Sequence, residues 1–198
     1  MGFHRRGRLP SRSSLSSRSL KLAGWELETA VPDVARCVVI AAPHTSNWDG
    51  VLLLAIAPLI GHPLAWMIKD EWLRGPMGAV LRRLGAVGID RSTHTNVVQA
   101  MVDELDREDR LWVVIPPEGT RSRAETWKSG FYHIARGADV PVVPAYLDYG
   151  RRRAGLGQPI ELTNDVHADM DRIRAFYAEH APRGHRPDHV GPIRLREE

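Results

Sequence analysis

Two short polar segments, about seventy residues apart, carry residue types that could do chemistry if they met. The first is His44-Thr45-Ser46-Asn47-Trp48-Asp49, and the second is Pro117-Glu118-Gly119-Thr120-Arg121. A carboxylate held against one imidazole nitrogen fixes the tautomer and stabilises the imidazolium, which leaves the other nitrogen as a general base. His44 and Asp49 fit those roles. Ser46 reads as a helix N-cap with Asp49 at the third helical position, and a helix starting there would turn the carboxylate back towards His44. The plainer alternatives are a loop histidine and a carboxylate that only caps the helix. No GxSxG elbow occurs, and no cysteine lies near His44. The base would therefore act on a substrate hydroxyl or on water. Metal binding is a poor alternative, because His44 and Asp49 are only two candidate ligands and no HExxH pair exists.

Glu118-Gly119-Thr120-Arg121 reads either as a surface turn that uses glycine for backbone freedom or as an anion site. In the second reading, backbone amides and the planar guanidinium of Arg121 hold a phosphate. A third block runs from Lys69-Asp70-Glu71-Trp72 through Gly75-Pro76 to Gly88-Ile89-Asp90-Arg91. The chain holds only three lysines, Lys21, Lys69 and Lys128, and the last two adjoin these segments.

The elements that must position these residues alternate. Strands are expected at 25–30, 36–42, 64–68, 86–89 and 111–115, with a further one at 159–162. Helices are expected at 47–57, 76–84, 96–107, 130–138 and 165–180. The 96–107 segment puts Val97, Val98, Met101, Val102 and Leu105 on one stripe. Residues 140–147 carry Pro141 and Pro144 and read as an irregular or edge strand. This alternation predicts an α/β fold: a single domain with a mixed, largely parallel sheet flanked by helices. Both polar motifs then fall at strand ends, where open α/β sheets place their chemistry.

The organisation predicted is a basic Ser/Arg-rich arm at 1–23, a domain at 24–181 and a loose polar tail at 182–198. Six of the 27 basic residues (Arg5, Arg6, Arg8, Arg12, Arg18 and Lys21) lie in the first 25 positions, leaving 21 against 24 acids in the rest. Such an arm is expected to be disordered. It reads as a solvated tail, or as a tether to anionic headgroups or nucleic acid. Cys37 is the only cysteine, so a disulfide framework is excluded and a reducing, cytoplasmic compartment is the natural reading. The longest apolar run, Val51 to Ile60, is too short to span a bilayer. The six tryptophans are ambiguous. Trp48, Trp66, Trp72 and Trp127, with Met67, would line either an acyl-chain groove or the core.

Four blocks in order resemble the glycerolipid acyltransferases of the 1-acylglycerol-3-phosphate acyltransferase type. His44 and Asp49 match the HxxxxD motif of that family. Lys69 to Asp90-Arg91 is similar to its second block, and Pro117-Glu118-Gly119-Thr120-Arg121-Ser122, followed by Trp127-Lys128-Ser129-Gly130, to its third. Val140-Pro141-Val142-Val143-Pro144 is similar to its fourth.

The resemblance implies a glycerol-phosphate acyltransferase-like fold and acyl transfer from an acyl thioester to a hydroxyl of a lysophospholipid. The thioester is acyl-CoA or acyl carrier protein, a co-substrate, with no other cofactor and no metal. His44 would be the base and Asp49 its partner. Lys69, Arg91 and Arg121 would hold the acceptor's phosphate, with Glu118, Gly119 and Thr120 shaping that loop. The expected setting is peripheral, at the inner face of the membrane, with no nucleic-acid partner. A glycolipid or small-alcohol acceptor and a thioesterase-like hydrolase remain open, as does a non-catalytic membrane-binding module. Family members often carry N-terminal membrane helices, and this chain shows none in its sequence.

Overall fold

The computed structural model describes residues 24–89, 94–163 and 165–196. The basic arm at 1–23 lies outside the described residues, as does Arg91.

Continuous runs of Val, Ile and Leu form strands buried on both faces of a parallel sheet. Arg36–Ala41 (β2) and Leu111–Ile115 (β5) are such runs and lie side by side in parallel, with Val38 opposite Val113 and Ile40 opposite Ile115. Glu26–Leu27 (β1), Leu64–Lys69 (β3), Ala86–Ile89 (β4), Val142–Asp148 (β6) and Arg153–Leu156 (β7) complete a seven-stranded sheet in the order β1-β7-β6-β2-β5-β3-β4. Every neighbouring pair is parallel except β6 with β7.

The helices are Trp48–Ile60 (α1), Gly75–Arg83 (α2), His94–Arg107 (α3), Gly130–Gly137 (α4) and Val166–His180 (α5). One core joins Val38, Ile40, Val113 and Ile115 to Met101 and Leu105 of α3, Phe131 and Ile134 of α4, and Met170 and Ile173 of α5. The other joins Cys37, Val39, Trp112 and Val114 to Ile56, Ala57 and Ile60 of α1. Helix α2 lies on this second face too. Trp66 packs against the second core and its indole N–H donates to the Leu84 carbonyl at the end of α2 (3.0 Å).

Some elements differ from the sequence reading. Strand β1 is only two residues long, and residues 159–162 contribute an isolated bridge, Ile160 with Val142. β6 is an interior strand rather than an edge. Pro144 is tolerated because its carbonyl, and with it its ring nitrogen, faces the β7 side where the ladder ends: Leu156 pairs with Ala145, and the next amide, Gly157, bonds the Pro144 carbonyl (2.7 Å). The segment beyond Pro182 is packed rather than loose. Leu195 is buried, and the Trp127 amide bonds the Arg194 carbonyl (2.7 Å). Cys37 is fully buried, and burial pushes its thiol up. Among the tryptophans, Trp127 is core, whereas Trp48 and Trp72 are exposed.

Candidate active site

Parallel neighbours end at the same sheet edge, so the loops after β2 and β5 meet. The His44 amide donates to Glu118 Oε1 (3.1 Å), joining the two motifs directly. His44 Nδ1 lies 2.9 Å from Asp49 Oδ2. An ionised carboxylate only accepts, so Nδ1 carries the proton and Nε2 presents a lone pair. The His44 side chain is 24% exposed, enough for a substrate to reach it.

Asp49 is fixed from several sides. Its Oδ2 also accepts from the amides of Thr45 (2.9 Å) and Ser46 (3.0 Å), and its Oδ1 accepts from the Tyr149 hydroxyl (2.7 Å). Burial alone would push this carboxyl up, but the bonds from His44, Tyr149 and Ser46 outweigh it and hold the group below the usual carboxylate range. Helix α1 begins one residue later than the sequence reading has it. Asn47 is the cap position without a capping side chain, while Ser46 Oγ accepts from the Trp48 amide (3.2 Å). The bond from the Ser46 amide to Asp49 is nonetheless made, so the same carboxylate ties down the loop that leads into the helix and holds His44.

Glu118 is buried, and among the described residues its Oε2 has no hydrogen-bond partner. Burial raises its pKa. The structure thus places Glu118 behind His44, as a brace for the loop rather than as an exposed contact. Gly119 adopts φ +64°, and a Cβ there would lie 2.8 Å from the Lys128 stem, so the turn needs glycine. Thr120 and Arg121 are exposed, and Arg121 Nη1 donates to Asn47 Oδ1, next to the start of α1. Arg121 therefore stands at the same edge as His44. Lys69 ends β3, the other neighbour of β5. Among the described residues no group of three or more His, Cys, Asp or Glu is placed to hold a metal.

Sequence reasoning missed Tyr149 and the C-terminal segment. Tyr149 follows β6, the second neighbour of β2, and only the strand order reveals that it reaches Asp49. Its ring stands edge-on to Trp25 (5.1 Å) and His185 (4.9 Å), and its amide bonds the Arg183 carbonyl (2.8 Å). The same segment donates the Arg186 amide to Thr45 Oγ1 (3.1 Å), the His189 ring bonds the Arg121 carbonyl (2.8 Å), and Val190 accepts from Arg123 (2.5 Å). It straps both motif loops. Tyr177 on α5 adds a buried hydroxyl facing the carbonyls of Ile40 (2.9 Å) and Ala145 (3.0 Å).

The family model for acyltransferases matches residues 26–148. The chain is 32% identical over 162 residues to the human 1-acyl-sn-glycerol-3-phosphate acyltransferase alpha, covering 69% of this chain and 56% of that protein. It is 25% identical over 151 residues to the 1-acyl-sn-glycerol-3-phosphate acyltransferase of Haemophilus influenzae (71% and 61%). The match to the Escherichia coli 1-acyl-sn-glycerol-3-phosphate acyltransferase is 25% over 150 residues (71% and 60%). The chain thus spans little more than half the length of these relatives. No solved structure matches it significantly.

Proposed function

Since the chain belongs to the acyltransferase family, we propose that it moves a fatty acyl group from acyl-CoA or acyl carrier protein to the free hydroxyl of a lysophospholipid. The acceptor is 1-acylglycerol-3-phosphate, the compound in the names of its relatives. The observation that carries this reading is the His44–Asp49 pair, with Nδ1 tied to the carboxylate and Nε2 left free.

The acceptor hydroxyl gives its proton to His44 Nε2 as its oxygen attacks the thioester carbonyl. Asp49 stabilises the imidazolium that results. The carbon–sulfur bond then breaks, and the leaving thiolate recovers the proton from His44. The products are an ester and a free thiol. Backbone amides near the loops stabilise the tetrahedral oxyanion, an effect often worth about 3–4 kcal/mol. Arg121 holds the acceptor phosphate with Lys69 and Arg91, while Glu118, Gly119 and Thr120 keep the loop in place behind it. No metal or further cofactor takes part.

Among the described residues no helix is long and apolar enough to cross a membrane. The protein meets its lipid from the surface, at the inner, cytoplasmic face. Thiol release from a long-chain acyl-CoA, with and without lysophosphatidate, tests the reading in wild type and His44→Ala. General-base catalysis is worth about 10²–10⁴-fold, so release should depend on both acceptor and His44. Release that ignores the acceptor, or a His44→Ala enzyme retaining more than about a tenth of the rate, would sink it.

A further inference from the structure

Helices α1 and α2 lie on the same face of the sheet, and both turn apolar side chains to solvent. Trp48 (59% exposed) and Val51 (53%) project from α1, and Trp72 (63%), Met77 (64%) and Val80 (53%) from α2 and the turn before it. Helix α1 buries only Asp49, Ile56, Ala57 and Ile60, although its sequence is apolar almost throughout. Helix α2 is more unusual, since its only buried residue is Gly78. A Cβ at that position would lie 1.9 Å from the Leu73 carbonyl oxygen. The helix therefore packs bare backbone against the turn that precedes it, with Leu81 half-buried and Met77 and Val80 left outside. An ordinary amphipathic helix does the opposite. An exposed apolar surface of this kind marks an interaction site.

Charge identifies the partner. Between Gly50 and Ile89 the acids are Asp70 and Glu71 alone, against Lys69, Arg74, Arg82 and Arg83. Arg74, Arg82 and Arg83 are exposed around the apolar side chains. Tryptophan favours the membrane–water interface, and basic side chains favour anionic headgroups. A second copy of the chain would bring like charges together, whereas an anionic bilayer neutralises them. Trp48 is the neighbour of Asp49, and Trp72 follows the end of β3, so the face adjoins the candidate active site at one edge.

We infer that the outward face of α1 and α2 is the surface on which the protein docks on an anionic lipid bilayer, with Met77 and Val80 entering the interface and Arg74 and Arg83 meeting headgroup phosphates. The identity of the partner rests on the acyl-transfer reading, because a lipid acceptor must be taken from such a surface.

The test uses the full chain and co-sedimentation with phosphatidylcholine vesicles containing phosphatidylglycerol. The Met77→Asp/Val80→Asp variant should lose at least about tenfold in partition. Arg74→Glu/Arg83→Glu should weaken binding chiefly at low salt. Both changes sit on exposed positions and should leave the cooperative urea transition in place. Transfer to an acceptor dispersed as monomers should persist in both variants. Unchanged vesicle partition would overturn the assignment. So would loss of transfer to the monomeric acceptor, or a wild-type dimer that the aspartates dissociate while vesicle binding stays. If wild type transfers no acyl group but its vesicle binding is lost in the variants, the reaction fails and the surface stands. If transfer is found and binding is indifferent to both variants, the surface fails and the reaction stands.

Discussion

The Tyr149 hydroxyl donates to Asp49 Oδ1 at 2.7 Å, the carboxylate oxygen that His44 does not use. The two bonds act on opposite oxygens of one group, so Tyr149 holds the carboxylate plane that aims His44. Tyr149 is a positioning residue, since it acts through Asp49. Removing its hydroxyl leaves one carboxylate oxygen without a partner and raises the Asp49 pKa. A hydrogen bond to a charged group is worth about 1.5–3 kcal/mol, so Tyr149→Phe should lower kcat about tenfold and leave KM nearly unchanged. The acidic limb of the kcat profile should move to higher pH, because a carboxylate without that donor holds the protonated His44 ring more strongly. A uniform fall with an unshifted limb would mean that Tyr149 only supports the fold.

What was legible in the sequence, and what was not, follows from how local each signal is. β2 and β5 announce themselves as buried runs, and α3 as a stripe, because each carries its own period. The start of α1 is legible to within one residue, because the Ser46 and Asp49 pair is a local signal of a helix start. Strand β7 is not legible: Arg-Ala-Gly-Leu has no strand pattern, and it pairs because β6 offers it a register. Gly155 in that strand is required by the Tyr146 ring, 2.4 Å from where its Cβ would be. Pro144 argues for an edge until the end of the β7 ladder is known. Tyr149 and the 183–196 strap depend on strand order and long-range packing, which no local pattern encodes. The sequence puts Glu118 in the second polar loop, but nothing local to it signals its burial behind His44.

Glu118 gives a stability signature with a defined sign. Burial raises its folded pKa above the unfolded value of about 4.3, so the folded state prefers the protonated form. Wild-type stability should fall as pH rises from that unfolded value to the folded pKa, and not further. Glu118→Gln keeps an oxygen for the His44 amide and cannot ionise. Urea unfolding at pH 4 and pH 8 should therefore show wild type losing stability relative to the variant on going up in pH. Parallel pH dependence in the two proteins would mean that Glu118 is solvated.

The C-terminal strap should matter to both stability and chemistry. Stopping the chain at Pro182 removes the buried Leu195 and the amide of Arg186 that bonds Thr45. Loss of a buried leucine costs about 2–5 kcal/mol, which in a chain of this size lowers Tm by roughly 5–15 °C. kcat should fall as well, since the Tyr149 amide and the Arg121 carbonyl lose their partners in Arg183 and His189. A thermal scan and a single-turnover assay at a temperature where both forms are folded check the two effects. A shortened chain with unchanged Tm and kcat would show that the strap is dispensable.

Replacing Arg121 tests the proposed phosphate recognition apart from catalysis. Its guanidinium is exposed and, among the described residues, donates to Asn47 Oδ1, while the loop that carries it takes its turn from Gly119. An exposed arginine tied to a neutral amide keeps donors free for a ligand, and the fork suits a phosphate. A charge-assisted hydrogen bond is worth about 1.5–3 kcal/mol, so Arg121→Ala should raise KM for lysophosphatidate by about 10–100-fold. Its effect on a monoacylglycerol, which has no phosphate, should be less than about threefold. Lysine restores the charge but not the fork and should recover only part of the loss. Asn47→Ala should act in the same direction more weakly, because it loosens the arginine without removing it. Steady-state kinetics on the paired acceptors decide the matter: equal losses on both would assign Arg121 to the loop's structure and not to the phosphate.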